Sequence, residues 1–161
     1  MKSFEVSIER ATIHDSPALI QIQNLSFYDD FVMYGECPAY EESLEAMQNH
    51  ISNKIVYKIL VDGKIIGDVI IRKREDNKYY LRVFSIIPEF QGKGIGTKAF
   101  QYIESEIRDA AEWELITPFK SFRNHHFYEK LGFHKTSEYC QSDRLILFTF
   151  KKTTSERIST Y

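Results

Sequence analysis

The segment from Ser85 to Thr97, SIIPEFQGKGIGT, constrains the fold of this chain more than any other part of its sequence. An apolar, β-branched run ends at Pro88, a glycine-rich turn follows, and an amphipathic helical pattern then begins. Glycines at positions 92, 94 and 96 leave the backbone without side chains that would keep a ligand away. The N–H groups of such a turn and of the helix N-terminus face outward together, which suits a phosphate group. The segment therefore predicts a site for a phosphorylated cofactor.

Composition narrows the class of protein. A chain of 161 residues is typical of one domain, which we expect to cover residues 1–151 and to be followed by a polar tail at 152–161. The net charge of −2 gives no basic footprint for nucleic acid, and no apolar run is long enough to cross a membrane. Two cysteines, Cys37 and Cys140, are too few for a disulfide framework, which favours a reducing, cytoplasmic location.

Apolar periodicity predicts the element order β-α-α-β-β-β-α-β-α-β-β and an α/β fold. The predicted strands cover residues 4–12, 55–61, 65–72, 79–87, 113–117, 133–139 and 144–150. One helix begins after Asp15 as its N-cap, a loop follows at 28–39, and the other helices cover 41–51, 94–111 and 123–131. Asp62-Gly63 predicts a tight hairpin turn. Three meandering strands before a helical crossover into a parallel neighbour predict a mixed sheet with helices on both faces.

Two general glycine-rich motifs fit the segment poorly. A Walker A loop requires Lys and then Ser or Thr directly after its last glycine, whereas Gly96 is followed by Thr97 and Lys98. The dinucleotide-binding fingerprint requires a glycine where Thr97 stands, and it opens a βαβ unit rather than following a strand meander. A nucleotide binder stays open as an alternative, which would prefer ATP or NAD to coenzyme A.

Two motifs together resemble the signatures of the GNAT superfamily of acyl-CoA-dependent N-acetyltransferases. Residues 91–96, QGKGIG, match the family pattern Q/R-x-x-G-x-G/A, and residues 127–133, FYEKLGF, resemble its second signature F-Y-x-x-x-G-F. The run Ile86-Ile87-Pro88 is similar to the Val-x-Pro run that ends the central strand of the family. The resemblance covers nearly the whole chain and is strongest over residues 79–133. It implies the GNAT fold, a mixed, mostly antiparallel sheet of about six or seven strands with a central parallel pair that splays apart.

The resemblance also implies acetyl-CoA as the cosubstrate, with no metal. The cofactor of the family lies where the two parallel strands splay, which here are the predicted strands 79–87 and 113–117. The backbone of Phe84, Ser85 and Ile86 would then contact the acetyl and pantetheine groups. Ser121 occupies the position where the family often has Asn, and Asn124 lies one helical turn before the motif tyrosine, so either side chain could contact pantetheine. The pyrophosphate would be held by the glycine-rich loop, formed by Gln91, Gly92, Lys93, Gly94, Ile95, Gly96 and Thr97.

Acetyl transfer requires a proton for the departing thiolate and an acceptor for the proton of the amine. Tyr128 matches the tyrosine general acid of the family. No residue matches the general base, because Ile116 stands where some members have glutamate. Glu114, on the same face of the predicted strand, and Glu36, in the predicted loop, are the candidates, and a chain of water molecules is the alternative to both.

The function that the resemblance implies is direct transfer of acetyl from acetyl-CoA to a primary amine of a small molecule or a protein, within a ternary complex. The acidic, aromatic segment 28–42 favours a cationic acceptor. Many relatives form homodimers, so a homodimer is compatible with the resemblance. A non-catalytic acyl-CoA-binding regulatory module is the alternative from a different class, because such a module would keep the glycine-rich loop and would not depend on Tyr128.

Overall fold

The computed structural model describes residues 5–154 and gives them the predicted order of helices and strands. The seven strands are β1 Val6–Arg10, β2 Ile55–Val61, β3 Lys64–Lys73, β4 Lys78–Ile86, β5 Glu112–Pro118, β6 His134–Ser142 and β7 Leu145–Thr153. The four α-helices are α1 Ser16–Tyr34, α2 Leu44–Asn53, α3 Ile95–Glu106 and α4 Phe122–Lys130. These counts refer to the described part of the chain.

The strands form one mixed sheet in the order β1-β2-β3-β4-β5-β7-β6. The β1–β2, β2–β3, β5–β7 and β6–β7 pairs are antiparallel, and the β4–β5 pair is parallel. In the parallel pair, Lys78–Leu81 of β4 lie opposite Glu112–Leu115 of β5. Both strands continue beyond this register, β4 to Ile86 and β5 to Pro118. The predicted mixed sheet with one central parallel pair is therefore confirmed.

The described residues fall into two compact units. The first contains the chain up to Ile71 together with Val83–Glu106, and the second contains Arg72–Arg82 together with the chain from Ile107.

The first unit has a helix against each face of its strands. Val56 of β2 belongs to a buried cluster with residues of α1, α2, β3 and β4, whereas its neighbour Tyr57 contacts Tyr102 of α3 edge-on at 6.4 Å between ring centroids. Adjacent residues of a strand point to opposite faces, so α1 and α2 cover one face and α3 the other. The buried cluster consists of Leu19, Ala39, Met47, Val56, Ile70 and Val83. At the β2–β3 turn, Asp62 and Gly63 have φ angles of 50° and 81°, which confirms the predicted tight hairpin.

The second unit has an aromatic core. Trp113 of β5 is fully buried, and its ring lies 5.3 Å from that of Tyr79, the residue opposite it on β4. Phe150 of β7 is also buried, and the ring of His125 from α4 packs 5.3 Å from it. Burial of large rings dominates the apolar contribution to stability in such a core.

The predicted loop at 28–39 is wrong for its first half. Helix α1 continues to Tyr34 and ends at Gly35, whose φ of 75° allows its N–H to donate to the carbonyl of Phe31 at 2.8 Å. No glycine or proline interrupts residues 28–34, and neither aromatic rings nor carboxylates stop a helix that is already formed.

Asp15 occupies the N-cap position of α1 as predicted, but its carboxylate accepts from the N–H of Thr12 at 2.8 Å and makes no capping hydrogen bond to the helix. Two other boundaries differ from the prediction. Helix α2 begins later than predicted, because the hydroxyl of Ser43 accepts the N–H of Ala46 at 3.0 Å and acts as the N-cap. Helix α3 ends at Glu106, and the following turn is fixed by an N–H bond from Ala111 to Asn77 O at 2.8 Å.

The predicted polar tail at 152–161 begins with residues that are part of the fold. Strand β7 continues to Thr153, and the buried Thr154 donates its hydroxyl to the carbonyl of Ala110. The remaining predicted tail residues, 155–161, lie outside the described residues.

Candidate active site

The glycine-rich loop has the backbone conformation that its sequence predicts. Gly92 and Gly94 have φ angles of 73° and 80°, in the left-handed region that side chains disfavour. A Cβ built on Gly94 would meet no atom within 4 Å, so its backbone conformation, rather than crowding, requires glycine there. Helix α3 begins at the next residue, Ile95, which is buried and anchors the loop. Gly92, Lys93 and Gly94 are exposed, so the loop and the positive end of the helix dipole are open to an anion.

Gln91 joins the loop to the end of β4. Its side-chain amide donates to the carbonyl of Ile86 at 2.7 Å. The next backbone amide, that of Ile87, donates to the carbonyl of Ile66 on β3 at 2.9 Å. The predicted cofactor residue Gln91 therefore also acts as a brace between strand and loop.

The three predicted contacts on β4 lie on different faces of the strand. Ser85 is 2% exposed, whereas its neighbours Phe84 and Ile86 are half-buried on the opposite face. The hydroxyl of Ser85 donates to Oδ1 of Asp68 at 2.5 Å and accepts the backbone N–H of Asp68 at 3.1 Å. Sequence reasoning missed Asp68. The signal available was a single carboxylate within the apolar run of β3.

Tyr128 lies on α4 and is 8% exposed. Its ring contacts the rings of Phe127 and Phe133 edge-on, with centroid distances of 5.0 and 5.5 Å. Burial raises the pKa of Tyr128 above its usual value, because the phenolate is poorly solvated among these rings. A phenol is already protonated at neutral pH with its usual pKa of about 10, as a general acid requires, and the upward shift does not change that state.

The two candidate pantetheine contacts lie at the start of α4. Ser121 occupies the N-cap position, where its side chain makes no capping hydrogen bond. Asn124 does not cap the helix either, because its amide donates to the hydroxyl of Thr117 on β5 at 3.3 Å. Both residues belong to the second unit, as does Tyr128.

The two candidate bases have different surroundings. The carboxylate of Glu114 is paired with the guanidinium of Arg74, and its side chain is 17% exposed. Glu36 is exposed and lies just after the end of α1. The structure places Glu114 in the second unit and Glu36 in the first.

The segment 28–42 combines exposed rings with carboxylates in the first unit. The rings of Phe31 and Tyr40 stack with centroids 4.7 Å apart, and the ring of Tyr28 lies 6.1 Å from that of Tyr40. Burial, together with the neighbouring Asp29, raises the pKa of Asp30. The same segment contains Cys37, whose pKa burial raises, so its thiol is not activated as a nucleophile.

Residues 5–154 contain no group of three or more His, Cys, Asp or Glu side chains that could hold a metal ion. No helix in the described part of the chain is long and apolar enough to cross a membrane.

Comparison with known proteins identifies the family. The model of the acetyltransferase (GNAT) family matches residues 17–133, which include the glycine-rich loop and Tyr128. The chain therefore belongs to the GNAT acetyltransferase family, and that membership makes it an acyltransferase.

Individual relatives agree with this assignment. The chain is 25% identical over 122 residues to the S-alkylcysteine N-acetyltransferase of Bacillus subtilis, covering 71% of this chain and 68% of that protein. It is 40% identical over 82 residues to the uncharacterized protein YrkN of Bacillus subtilis, covering 50% of this chain but only 44% of that protein. The crystal structure of the PaiA N-acetyltransferase from Thermoplasma acidophilum, in complex with coenzyme A, has the same fold. It aligns with a TM-score of 0.76 at 20% identity, over 92% of this chain and 99% of that one.

Proposed function

We propose that the protein transfers an acetyl group from acetyl-CoA directly to a primary amine within a ternary complex. The observation that carries the proposal is the glycine-rich loop, in which left-handed Gly92 and Gly94 lead into the N-terminus of α3. This arrangement presents several N–H groups to one anion, as the pyrophosphate of coenzyme A requires.

The residues of this chain then have distinct roles. The loop from Gly92 to Thr97 binds the pyrophosphate, and the backbone of β4 from Phe84 to Ile86 binds the acetyl and pantetheine groups. Tyr128 protonates the thiolate that leaves the tetrahedral centre, because a phenol carries its proton at neutral pH and can donate it. Asn124 and Ser121 are the proposed side-chain contacts to pantetheine. These roles follow the family signatures that the chain contains.

We propose a small-molecule amine as the acceptor, and an S-alkylcysteine is the first compound to test. The support is the similarity of the chain to the S-alkylcysteine N-acetyltransferase of Bacillus subtilis. The acidic, aromatic segment 28–42 suits an acceptor that carries a positive charge near an apolar group, because exposed rings attract cations and carboxylates pair with them.

Release of coenzyme A from acetyl-CoA tests the proposal. The purified protein is incubated with acetyl-CoA and one amine at a time: S-methylcysteine, spermidine, lysine, or a peptide with a free N-terminus. We expect at least one small amine to accelerate the release of free thiol. The acetylated product should be about 42 Da heavier than that amine. Binding of acetyl-CoA without turnover of any amine would instead favour the regulatory-module alternative.

A further inference from the structure

Three consecutive residues of β3 hold the end of β4. The carbonyl of Ile66 accepts the N–H of Ile87 at 2.9 Å. A Cβ on Gly67 would lie 2.3 Å from the carbonyl oxygen of Ser85, so the two backbones approach too closely for any side chain there. Asp68 accepts the hydroxyl hydrogen of Ser85 at 2.5 Å and returns its own N–H to that hydroxyl at 3.1 Å. The end of β4 is therefore fixed by three hydrogen bonds, to Ile66 and Asp68, and lies close against Gly67.

A β-bulge lies at the same place. On the β2 side of the strand, Ile59 faces Gly67 whereas the next residue, Leu60, faces Ile65, so Ile66 is the extra residue. Bulges bend a strand and redirect its side chains, and they occur often beside active sites. Here the bulge directly precedes the glycine and the carboxylate that contact Ser85.

Burying the pair formed by Asp68 and Ser85 costs more free energy than a contact that only stabilised the fold would need to. Asp68 is fully buried and Ser85 is 2% exposed, on the face of the sheet that also carries the apolar residues Ile70 and Val83. A carboxylate in such a place loses its hydration, and apolar side chains of similar volume often stabilise a core better. What the pair provides is a single register. If β4 slipped by two residues, apolar Val83 or Ile87 would replace Ser85, and the buried carboxylate would lose its hydroxyl donor.

We infer that Asp68 is a positioning residue for acetyl-CoA, which acts through Ser85 to fix the β4 backbone that receives the acetyl and pantetheine groups. The inference rests on the proposed function, because it assigns to Phe84–Ile86 the contacts proposed there. The hydrogen bond between the hydroxyl of Ser85 and Oδ1 of Asp68 is short and fully buried, so it restricts the position of the β4 backbone. In the proposed function the phosphates bind to the backbone of the loop from Gly92 to Thr97, whereas the acetyl and pantetheine groups bind to Phe84–Ile86.

Comparing the affinities for two ligands distinguishes this positioning role from a general effect on protein stability. Acetyl-CoA uses both the loop and β4, whereas adenosine 3′,5′-bisphosphate has phosphates but no pantetheine arm. Calorimetric titration with each ligand is carried out on the wild type and on Asp68→Asn, Ser85→Ala and Ser85→Thr. Ser16→Ala is the matched control, because Ser16 is also fully buried and its hydroxyl donates to Ile13 O at 2.7 Å.

We expect Asp68→Asn and Ser85→Ala to weaken acetyl-CoA binding by about tenfold, the scale of one lost buried hydrogen bond. In both variants, binding of the bisphosphate should change by less than about twofold. Ser85→Thr should keep most of the affinity for acetyl-CoA, because it keeps the hydroxyl. Ser16→Ala should bind both ligands as the wild type does. Asp68→Asn preserves the volume and an acceptor oxygen, so it decides the question if Ser85→Ala does not fold.

Wild-type affinity for acetyl-CoA in both folded variants would overturn the inference, as would equal weakening of both ligands. If the wild type itself does not bind acetyl-CoA, the proposed function fails, which is a different result from a wild type that binds and variants that bind equally well.

Discussion

Arg74 and Glu114 form an ion pair between the end of β3 and β5, and the guanidinium of Arg74 also lies 4.4 Å from the centroid of the Tyr80 ring. Glu114 is the carboxylate that the sequence places nearest to the base position of the family, two residues before Ile116. Oε1 of this carboxylate is occupied by the guanidinium of Arg74, so the ion pair gives Glu114 a structural role that joins the end of β3 to β5.

We therefore predict that Glu114→Gln keeps most of the turnover. Loss of a true general base lowers the rate by about 10²–10⁴-fold, whereas we expect a change within about threefold here. Unfolding in urea should show a loss of about 1 kcal/mol, the scale of one partly exposed ion pair. Glu36→Gln, at the other candidate base, is measured in parallel by release of coenzyme A. A hundredfold loss in Glu114→Gln with unchanged acetyl-CoA affinity would make Glu114 the base after all.

Tyr128→Phe should separate binding from catalysis. The variant keeps the ring contacts with Phe127 and Phe133 and removes only the phenolic proton that the proposed mechanism uses. Turnover should fall by about 10²-fold, and affinity for acetyl-CoA should stay within about twofold. Tyr139→Phe, at an exposed tyrosine of the same unit, is the control and should retain the wild-type rate. Unchanged turnover in Tyr128→Phe would exclude the tyrosine as general acid.

The burial of Tyr128 also predicts how stability depends on pH. Its pKa is raised in the folded state by burial, so the folded protein retains this proton at pH values where the unfolded chain loses it. The contribution of Tyr128 to the free energy of unfolding is complete below about pH 10, the pKa of tyrosine in the unfolded chain, and is lost as the pH rises above that value. Burial raises the pKa of Tyr57, Tyr79 and Tyr80 in the same direction.

Urea unfolding between pH 8 and pH 11 measures this dependence, since about pH 10 is the midpoint for an unperturbed tyrosine. The free energy of unfolding of the wild type should decrease over the upper part of the range. That of Tyr128→Phe should decrease less steeply, because one tyrosine with a raised pKa is removed while Tyr57, Tyr79 and Tyr80 remain. Equal slopes in the two proteins would show that Tyr128 titrates alike in the folded and unfolded states.

Gly94→Ala and Gly63→Ala form a matched pair. Both glycines have nearly the same φ, 80° and 81°, and in both cases an added Cβ meets nothing within 4 Å. Each substitution should cost about 1–2 kcal/mol of stability, the strain of a side chain in the left-handed region. Only Gly94 lies in the proposed phosphate loop, so only Gly94→Ala should also weaken acetyl-CoA binding. The same affinity in both variants would argue against direct contact between this loop and the cofactor.

Local conformational preferences made much of the fold predictable. Glycine is the residue that tolerates the left-handed backbone of Gly92 and Gly94, and the Asp62-Gly63 pair has the positive φ angles of its hairpin turn. The same preference for glycine would by itself place the end of α1 correctly. Gly35 is the first glycine or proline after Pro17, and the helix ends there. The predicted loop at 28–39 begins too early, because its breakers, Gly35 and Pro38, both follow the end of the helix and residues 28–34 contain none.

Side-chain partners that are far apart in sequence could not be predicted in this way. Asp68 and Ser85 are 17 residues apart, and Arg74 and Glu114 are 40 residues apart. The first pair depends on the bulge that sets the position of β3, and the second depends on which strands become neighbours. Neither is visible in the local pattern. The sequence therefore predicts Tyr128 and the glycine-rich loop as parts of the candidate site. It does not predict the contacts that hold the end of β4 or the ion pair of Glu114.

Calorimetric titration of the wild-type protein with acetyl-CoA, with ATP and NAD as comparison ligands, tests the central claim most directly. The account predicts saturable binding of one acetyl-CoA with a dissociation constant on the order of micromolar, and affinities at least about a hundredfold weaker for ATP and NAD. Absence of acetyl-CoA binding, or a preference for ATP or NAD, would contradict the proposal that the loop from Gly92 to Thr97 serves an acetyltransferase.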